Sequence, residues 1–388
     1  MTKIGELRLK SIIAHCVNLP VPTFWLTDIM PRGTTNYPKW YDHFGNPPYD
    51  DDAWRILKMA KKPVSLVTGA CGFMGSHMVQ ILKEAGHEVR ATDIASACNA
   101  PDSDKTRFPR VLRELGVEPI PADVTRPETL AGLIDEDVDY VFHIAALFSY
   151  SVPWSALRSV NVDGTSNLLK LVKEKAPNLK RFVLWGAGGV YGFRDREGVP
   201  VVEGDAPEPC NDYLRSKWRQ KFEVIKAGQE WKLPYSIIRP TTVYGPRGFY
   251  GGGQLLMGAA QSPVHAIPAS FTARIPFVHV VDVCKAALFL AKKPKAKGQV
   301  FNVNDDSRIT NVEFMKYMAA LEGKSAVILP AVPVPQVRTA ALGFARLLDN
   351  IAMLFGKRSP LEVDSLNYVG RDLVIANDKL KDLGYEFE

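Results

Sequence analysis

The sequence predicts an α/β chain on a doubly wound parallel sheet, with a smaller C-terminal lobe and an N-terminal extension. Three observations carry that prediction. From Pro63 onward short β-branched runs alternate with helical periods. A glycine-rich corner, Thr68-Gly-Ala-Cys-Gly-Phe-Met-Gly75, stands between the first run and the first period. After Pro240 the alternation lapses, as expected of a second lobe.

Taken in order, 64–67 reads as a strand, 75–85 as a helix stopped by Gly86, and 88–93 as a second strand. A short third strand covers 118–121, a fourth 140–145, a helix 160–174 and a fifth strand 181–185. A long helix runs over 213–226, followed by a strand over 235–239. Beyond it come Gly251-Gly-Gly253, a strand-like stretch at 274–281 and a helix at 283–292. Residues 1–62 interleave six prolines with aromatics such as Phe24, Trp25 and Trp40, a density that forbids long helices. They read as an arm packing its rings on the main domain, or alternatively as a segment that covers substrate or meets a partner. The units expected are therefore 1–62, 63–245 and 246–388.

Composition narrows the function classes. With 46% hydrophobic and 23% charged residues in 388, the chain matches an ordinary globular protein and excludes disorder, collagen and a polytopic membrane protein. The 48 basic residues exceed the 42 acidic ones without a single-sign block, which gives no reason to expect nucleic acid. Five cysteines, Cys16, Cys71, Cys98, Cys210 and Cys284, include no CxxC pair, so neither a disulfide framework nor a metal site is expected, and the setting is reducing and cytoplasmic. No signal peptide is read at the N-terminus, and no run reaches the ~18 apolar residues of a spanning helix. Any membrane contact is peripheral, and 336–357 is the place for it. Its polar residues share one arc of a helical wheel, as in a helix packed on the lobe or one lying on a bilayer surface.

At the corner, Gly69 permits the tight turn, Gly72 lets backbone approach a pyrophosphate, and Gly75 allows helix to pack on strand, in the Rossmann manner. Phe73 and Met74 lie between Gly72 and Gly75, where the corner leads into the helix whose N-terminus offers N–H donors. Asp93 follows Gly75 by 18 residues at the end of the second strand, where a carboxylate accepts from ribose hydroxyls. A 2′-phosphate beside that carboxylate is repelled, so NAD is expected over NADP. The alternative for Asp93 is a turn cap. Tyr213 and Lys217 lie four apart, on one face of one helical turn. A cation there favours the phenolate, which fits Tyr213 to shuttle a proton while hydride moves.

These segments together resemble the extended short-chain dehydrogenase/reductase family from Pro63 to the C-terminus. Also matching are Asp123-Val124, His143-Ile-Ala-Ala146, Asn161-Val-Asp-Gly-Thr165, Val190-Tyr-Gly192, Arg239-Pro240, Tyr244-Gly-Pro246 and Val278-His-Val-Val-Asp282. The resemblance implies that Asp123 and Val124 border adenine, that Ala145, Ala146 and Pro240 line the cofactor, and that Asn161 supports the proton path. It also implies that Lys217 contacts a ribose and that the helices of Asn161 and Tyr213 pair across a twofold in a homodimer. One departure stands out. Ala187 occupies the place where the family carries a Ser or Thr that holds the substrate oxygen, so that Ser149, Ser151, Tyr191 or Thr241 replaces it, Tyr213 works alone, or the activity differs from simple carbonyl reduction.

Arg274 looks like the arginine that contacts the diphosphate in sugar-nucleotide epimerases of the family, one of two branches the residues leave open. The other is the 3β-hydroxysteroid and sterol 4α-carboxylate 3-dehydrogenase branch, which the apolar tail 328–355 resembles. That branch implies NAD-dependent oxidation of a hydrophobic secondary alcohol, with loss of carbon dioxide where a β-keto acid results. A third reading keeps the fold as a binding protein without turnover.

Overall fold

The computed structural model describes residues 61–150, 152–193, 199–249, 265–354 and 370–388. Of the expected extension 1–62 only Lys61 and Lys62 are among them, and Ser151 and Gly251-Gly-Gly253 lie outside. The strands are β1 (Val64–Thr68), β2 (Glu88–Asp93), β3 (Ile120–Pro121), β4 (Val138–His143), β5 (Arg181–Trp185), β6 (Tyr235–Pro240), β7 (Thr242–Tyr244), β8 (Ala266–Pro268), β9 (Phe277–His279), β10 (Gln299–Val303) and β11 (Val327–Leu329). The longer helices are α1 (Phe73–Glu84), α2 (Gly164–Lys175), α3 (Asp212–Trp231), α4 (Val280–Lys292), α5 (Asn311–Leu321) and α6 (Val334–Leu354).

Seven strands form one sheet in the order β10-β6-β5-β4-β1-β2-β3, with every neighbouring pair parallel. β1 is buried at all five positions, as a parallel strand covered on both faces must be. Successive side chains alternate between two cores. Val67, Phe142 and Trp185 pack with α1 and α4 on one face, through Met78, Leu82, Val283 and Ala287. On the other, Leu66, Phe182 and Ile237 pack with α2 and α3, through Leu168, Val172 and Val224. The expected doubly wound architecture is therefore present.

The smaller lobe consists of the parallel pairs β7 with β9 and β8 with β11, together with α5. Tyr244, Phe277, Phe314 and Met318 form its own core. Thr310 caps α5 by accepting from the Glu313 N–H while the Glu313 carboxylate accepts from the Thr310 N–H.

Several expected elements shift their bounds, and three of them do so with a local cause. The strand at 118–121 contracts to Ile120–Pro121, because Glu118 turns outward to pair with Arg113 at 3.0 Å. The strand expected over 274–281 contracts to Phe277–His279, since α4 already begins at Val280. The helix expected from 160 opens with a π turn over Arg158–Asp163 that places Asn161 in the interior. β10, the seventh strand, was not anticipated at all.

Phe142 is fully buried in β4, against Trp185 at 6.3 Å between ring centroids. Phe142→Ala is expected to lower the unfolding free energy by about 3–5 kcal/mol, with an unchanged denaturant slope, in urea titrations.

Candidate active site

Strand order reverses between β1 and β4, which opens a crevice at their C-terminal ends. Gly69 makes the turn there with φ +70°, and a Cβ on it would lie 2.8 Å from the Ala145 backbone nitrogen. A Cβ on Gly75 would lie 2.0 Å from the Gly69 carbonyl oxygen, so α1 rests directly on the turn. Gly72 caps α1, and no acidic residue occupies its first turn to offset the positive end of the helix dipole. Phe73 is buried beneath Gly248, while the Met74 carbonyl accepts from the Cys284 thiol at 3.5 Å.

Asp93 braces the corner from β2. One carboxylate oxygen accepts from the Cys71 N–H at 3.0 Å and the other from the Ile94 N–H at 2.9 Å. Burial raises its pKa. The turn-capping role considered for Asp93 is thus real, and it leaves lone pairs on both oxygens. The Asp123 carboxylate is turned onto the Thr125 N–H and hydroxyl, at 2.8 and 2.7 Å. Val124 packs so tightly on Gly164 that a Cβ there would meet its Cγ2 at 2.6 Å.

Behind the crevice runs a buried polar chain. The Ala145 N–H donates to Thr68 Oγ1 at 3.2 Å, and that hydroxyl bonds His143 Nδ1 at 2.8 Å. His143 Nε2 bonds Thr165 Oγ1 at 2.8 Å, which itself donates to the Asn161 carbonyl at 2.7 Å and accepts from Gln220 Nε2 at 2.8 Å. Because the only Thr165 proton goes to Asn161, the network assigns the His143 proton to Nε2. Burial pushes the imidazole down to about 3, so it stays neutral. Asn161 accepts from the Leu147 N–H at 2.7 Å and donates to the Leu147 carbonyl at 3.1 Å and to Ser216 Oγ at 2.8 Å. It pins the loop that leaves β4 to α3.

Asn211 caps α3 by accepting from the Leu214 N–H at 2.9 Å, which sets Tyr213 in the first turn. The Tyr213 ring meets Phe148 edge-on at 4.8 Å and Tyr150 at 6.0 Å, so an aromatic wall adjoins the phenol. Lys217, one turn on, is 3% exposed. Burial alone acts on its ammonium, pushing it down to about 7, with no carboxylate among the described residues to raise it. A buried cation lacking a counter-charge marks a place for ligand acceptors. Beside a glycine corner too tight for side chains and an uncompensated helix N-terminus, these residues fit NAD. The pyrophosphate suits the α1 N-terminus, and ribose hydroxyls suit Asp93 and Lys217.

On the substrate side two expectations are corrected. Tyr191 is fully buried, its one hydroxyl proton going to Asn302 Oδ1 at 2.7 Å while its oxygen accepts from Arg239, so it has no proton to offer a substrate oxygen. Arg274, expected to face a diphosphate, instead grips Asp372. Its Nε lies 2.9 and 3.1 Å from the two carboxylate oxygens, and Nη2 bonds the second as well. Ser149 is buried and engaged. Ala187 is extended, and beside its neighbour Gly188 lies Thr241, whose Oγ1 is buried without a hydrogen-bond partner. Ala146 follows Ala145 past β4, and Pro240 ends β6 beneath Gly188.

Sequence reasoning missed Thr68, Thr165, Ser216, Gln220, Phe148, Tyr150 and Asp372. A signal existed for two of them. Ser216, Lys217 and Gln220 share the buried stripe of α3 with Val224 and Ala227, and polar residues at core spacing seldom lack a purpose.

Lys217→Met removes the buried cation while keeping volume. Cofactor-free Lys217→Met is expected to melt a few degrees above wild type near pH 7. That advantage should fade toward pH 10, because the folded-state pKa lies below the unfolded one. A pH series of melting curves checks this. Gly75→Ala is expected to cost about 1–3 kcal/mol and to weaken NAD binding at least tenfold by calorimetry.

Residues 65–304 match the model of the NAD dependent epimerase/dehydratase family. A 3-beta-hydroxysteroid dehydrogenase of Mycolicibacterium neoaurum is 27% identical over 361 residues, covering 88% of this chain and 89% of that protein. UDP-glucose 4-epimerase of Vibrio cholerae is 26% identical over 279 residues, covering 70% and 79%. Among solved structures, UDP-glucose 4-epimerase of Thermus thermophilus in complex with NAD shares the fold. Its TM-score is 0.61 at 23% identity, over 84% of this chain and 94% of that one. With the glycine corner, Asp93 and the Tyr213/Lys217 helix arranged about one crevice, the chain belongs to the NAD dependent epimerase/dehydratase family of extended short-chain dehydrogenases/reductases and is an NAD-dependent enzyme.

Proposed function

We propose that the protein transfers hydride between NAD and the secondary alcohol or ketone of a hydrophobic substrate, sterol-like or long-chain. The observation that carries this reading is the pairing of two surroundings. Aromatic rings of Phe148 and Tyr150 stand against the Tyr213 ring, and the substrate-side arginine is neutralised by Asp372. Apolar walls beside a reacting group favour an apolar ligand, and a paired guanidinium is a weak receptor for a diphosphate. The longer alignment with the steroid dehydrogenase than with the epimerase supports the same reading.

NAD, when bound, supplies the nicotinamide that takes up or returns hydride. Tyr213 passes the hydroxyl proton of the substrate, acting as base in oxidation and as acid in reduction. Lys217, when protonated, stabilises the phenolate one turn away, and contact with ribose oxygens restores the acceptors its buried ammonium lacks. Asn161 holds Leu147 and Ser216, fixing the distance between the loop after β4 and the helix of Tyr213. Thr241 takes the part left open at Ala187: of the described hydroxyl candidates, its Oγ1 is the one without a partner. Where the substrate carries a β-carboxylate, the β-keto acid formed loses carbon dioxide without further groups.

The similarity to UDP-glucose 4-epimerases favours a second reading, in which NAD is reduced and reoxidised within each cycle on a nucleotide sugar. Turnover of a 3-hydroxysteroid panel with NAD, followed by NADH fluorescence, is set against interconversion of UDP-sugars. Net NADH is expected with the steroid alcohols only, and UDP-sugar interconversion without net NADH moves the assignment to the second reading. Tyr213→Phe is expected to lose about 10²-fold or more in kcat with NAD affinity within about twofold of wild type. Undiminished turnover removes Tyr213 from the chemistry.

A further inference from the structure

The sheet has a second end. Lys180 precedes β5 and Arg181 opens it, Pro234 precedes β6 and Lys292 closes α4, so these residues gather at the N-terminal ends of the strands, away from the crevice. A pocket of about 570 Å³ lies there. Five of its eleven lining residues are cations, Lys180, Arg181, Lys232, Lys292 and Lys297, and none is acidic.

Partners decide how much of that charge is spare. Lys180 pairs with Asp139 at 2.9 Å, so this cation is answered. Lys232, Lys292 and Lys297 are exposed and form no ion pair among the described residues. Arg181 is 5% exposed, and its guanidinium meets only neutral acceptors. Nη1 donates to Ser236 Oγ at 2.8 Å, Nη2 donates to the Lys293 carbonyl at 3.0 Å, and Nε is buried without a partner. Burial lowers its pKa with no carboxylate to oppose it, yet a guanidinium keeps its proton. The C-terminal dipole ends of α3, at Lys232, and of α4, at Lys292, each offset about half a charge, which leaves about three in the pocket. His87, 5.6 Å from the Tyr140 ring, registers the field: burial first, then Lys292 and Lys180, push its imidazole down to about 4.

Shape decides the class of ligand. A concave pocket of this size holds a metabolite, whereas a bilayer is met by a flat or convex face. About three neighbouring positive charges suit a chain of phosphates better than a single carboxylate. Pro177, Pro234 and Pro294 add rigid apolar rings to the lining.

We propose that this pocket binds an organic polyphosphate, its phosphates on Lys232, Lys292 and Lys297 and its apolar part against the prolines. The site is separate from the cofactor crevice and fills with NAD in place.

Isothermal titration of the full chain saturated with NAD tests it, with ATP and inorganic triphosphate as probes. One ATP per chain is expected, bound about tenfold tighter than triphosphate, with both affinities falling as salt rises. Lys292→Glu combined with Lys297→Glu is expected to weaken both probes about tenfold or more, with NAD affinity unchanged and the melting temperature not lowered. Lys316→Glu, at an exposed position on α5, leaves binding unchanged. The proposal is overturned by NAD-saturated protein that takes up neither probe, by ATP no tighter than triphosphate, or by affinity indifferent to the glutamate pair. Binding that NAD abolishes overturns it too, because it assigns the probes to the cofactor crevice. So does wild type that binds phosphatidylserine vesicles through these lysines while taking up neither probe.

Discussion

An ammonium buried without a carboxylate among the described residues organises this site. Lys217 is held inside the fold next to a neutral histidine, and burial drags its proton affinity down to about 7. Such a group is costly to keep, and a stability-driven core would replace it with a hydrophobe. The surrounding polar chain from Thr68 through His143 and Thr165 to Asn161 does not neutralise it. It fixes the walls within which the cation waits for acceptors that only a ligand brings.

The opposite choice is made in the smaller lobe. Arg274 is as permanent a cation as a protein can carry, yet both oxygens of Asp372 close on it. One cation is thus left without a described carboxylate and the other is used as a strut within the smaller lobe. The contrast separates the two halves of the site, a polar, anion-accepting half on the glycine corner and an aromatic half beyond Tyr213. Tyr191 follows the same logic as Arg274. Its hydroxyl lies in a motif that reads as functional, but Asn302 and Arg239 have made it part of the frame.

Much of this was legible in one dimension. Gly69, Gly72 and Gly75 declare a close backbone approach because nothing larger fits, and Asp93 follows at the end of the next strand. The four-residue step from Tyr213 to Lys217 is a statement about one helix face that holds in any fold. Local rules also explain Asn211 and Thr310 as helix caps. By contrast, β10 was missed because its place beside β6 rests on pairing with a strand some 60 residues earlier, Gln299 against Ser236. The resemblance has Asn161 supporting the proton path, and only a π turn, invisible to a period of 3.6, sets it as a clamp between loop and helix as well.

What the sequence by itself determined is the alternation of strands and helices up to β6, the cofactor corner and the chemical pair on one helical turn, since each depends on residues close in the chain obeying fixed periods. Only the tertiary structure decided which cations, hydroxyls and rings remain available. Availability is a property of partners, and Asp372 lies 98 residues from Arg274, Asn302 lies 111 from Tyr191, and Ser216 lies 55 from Asn161.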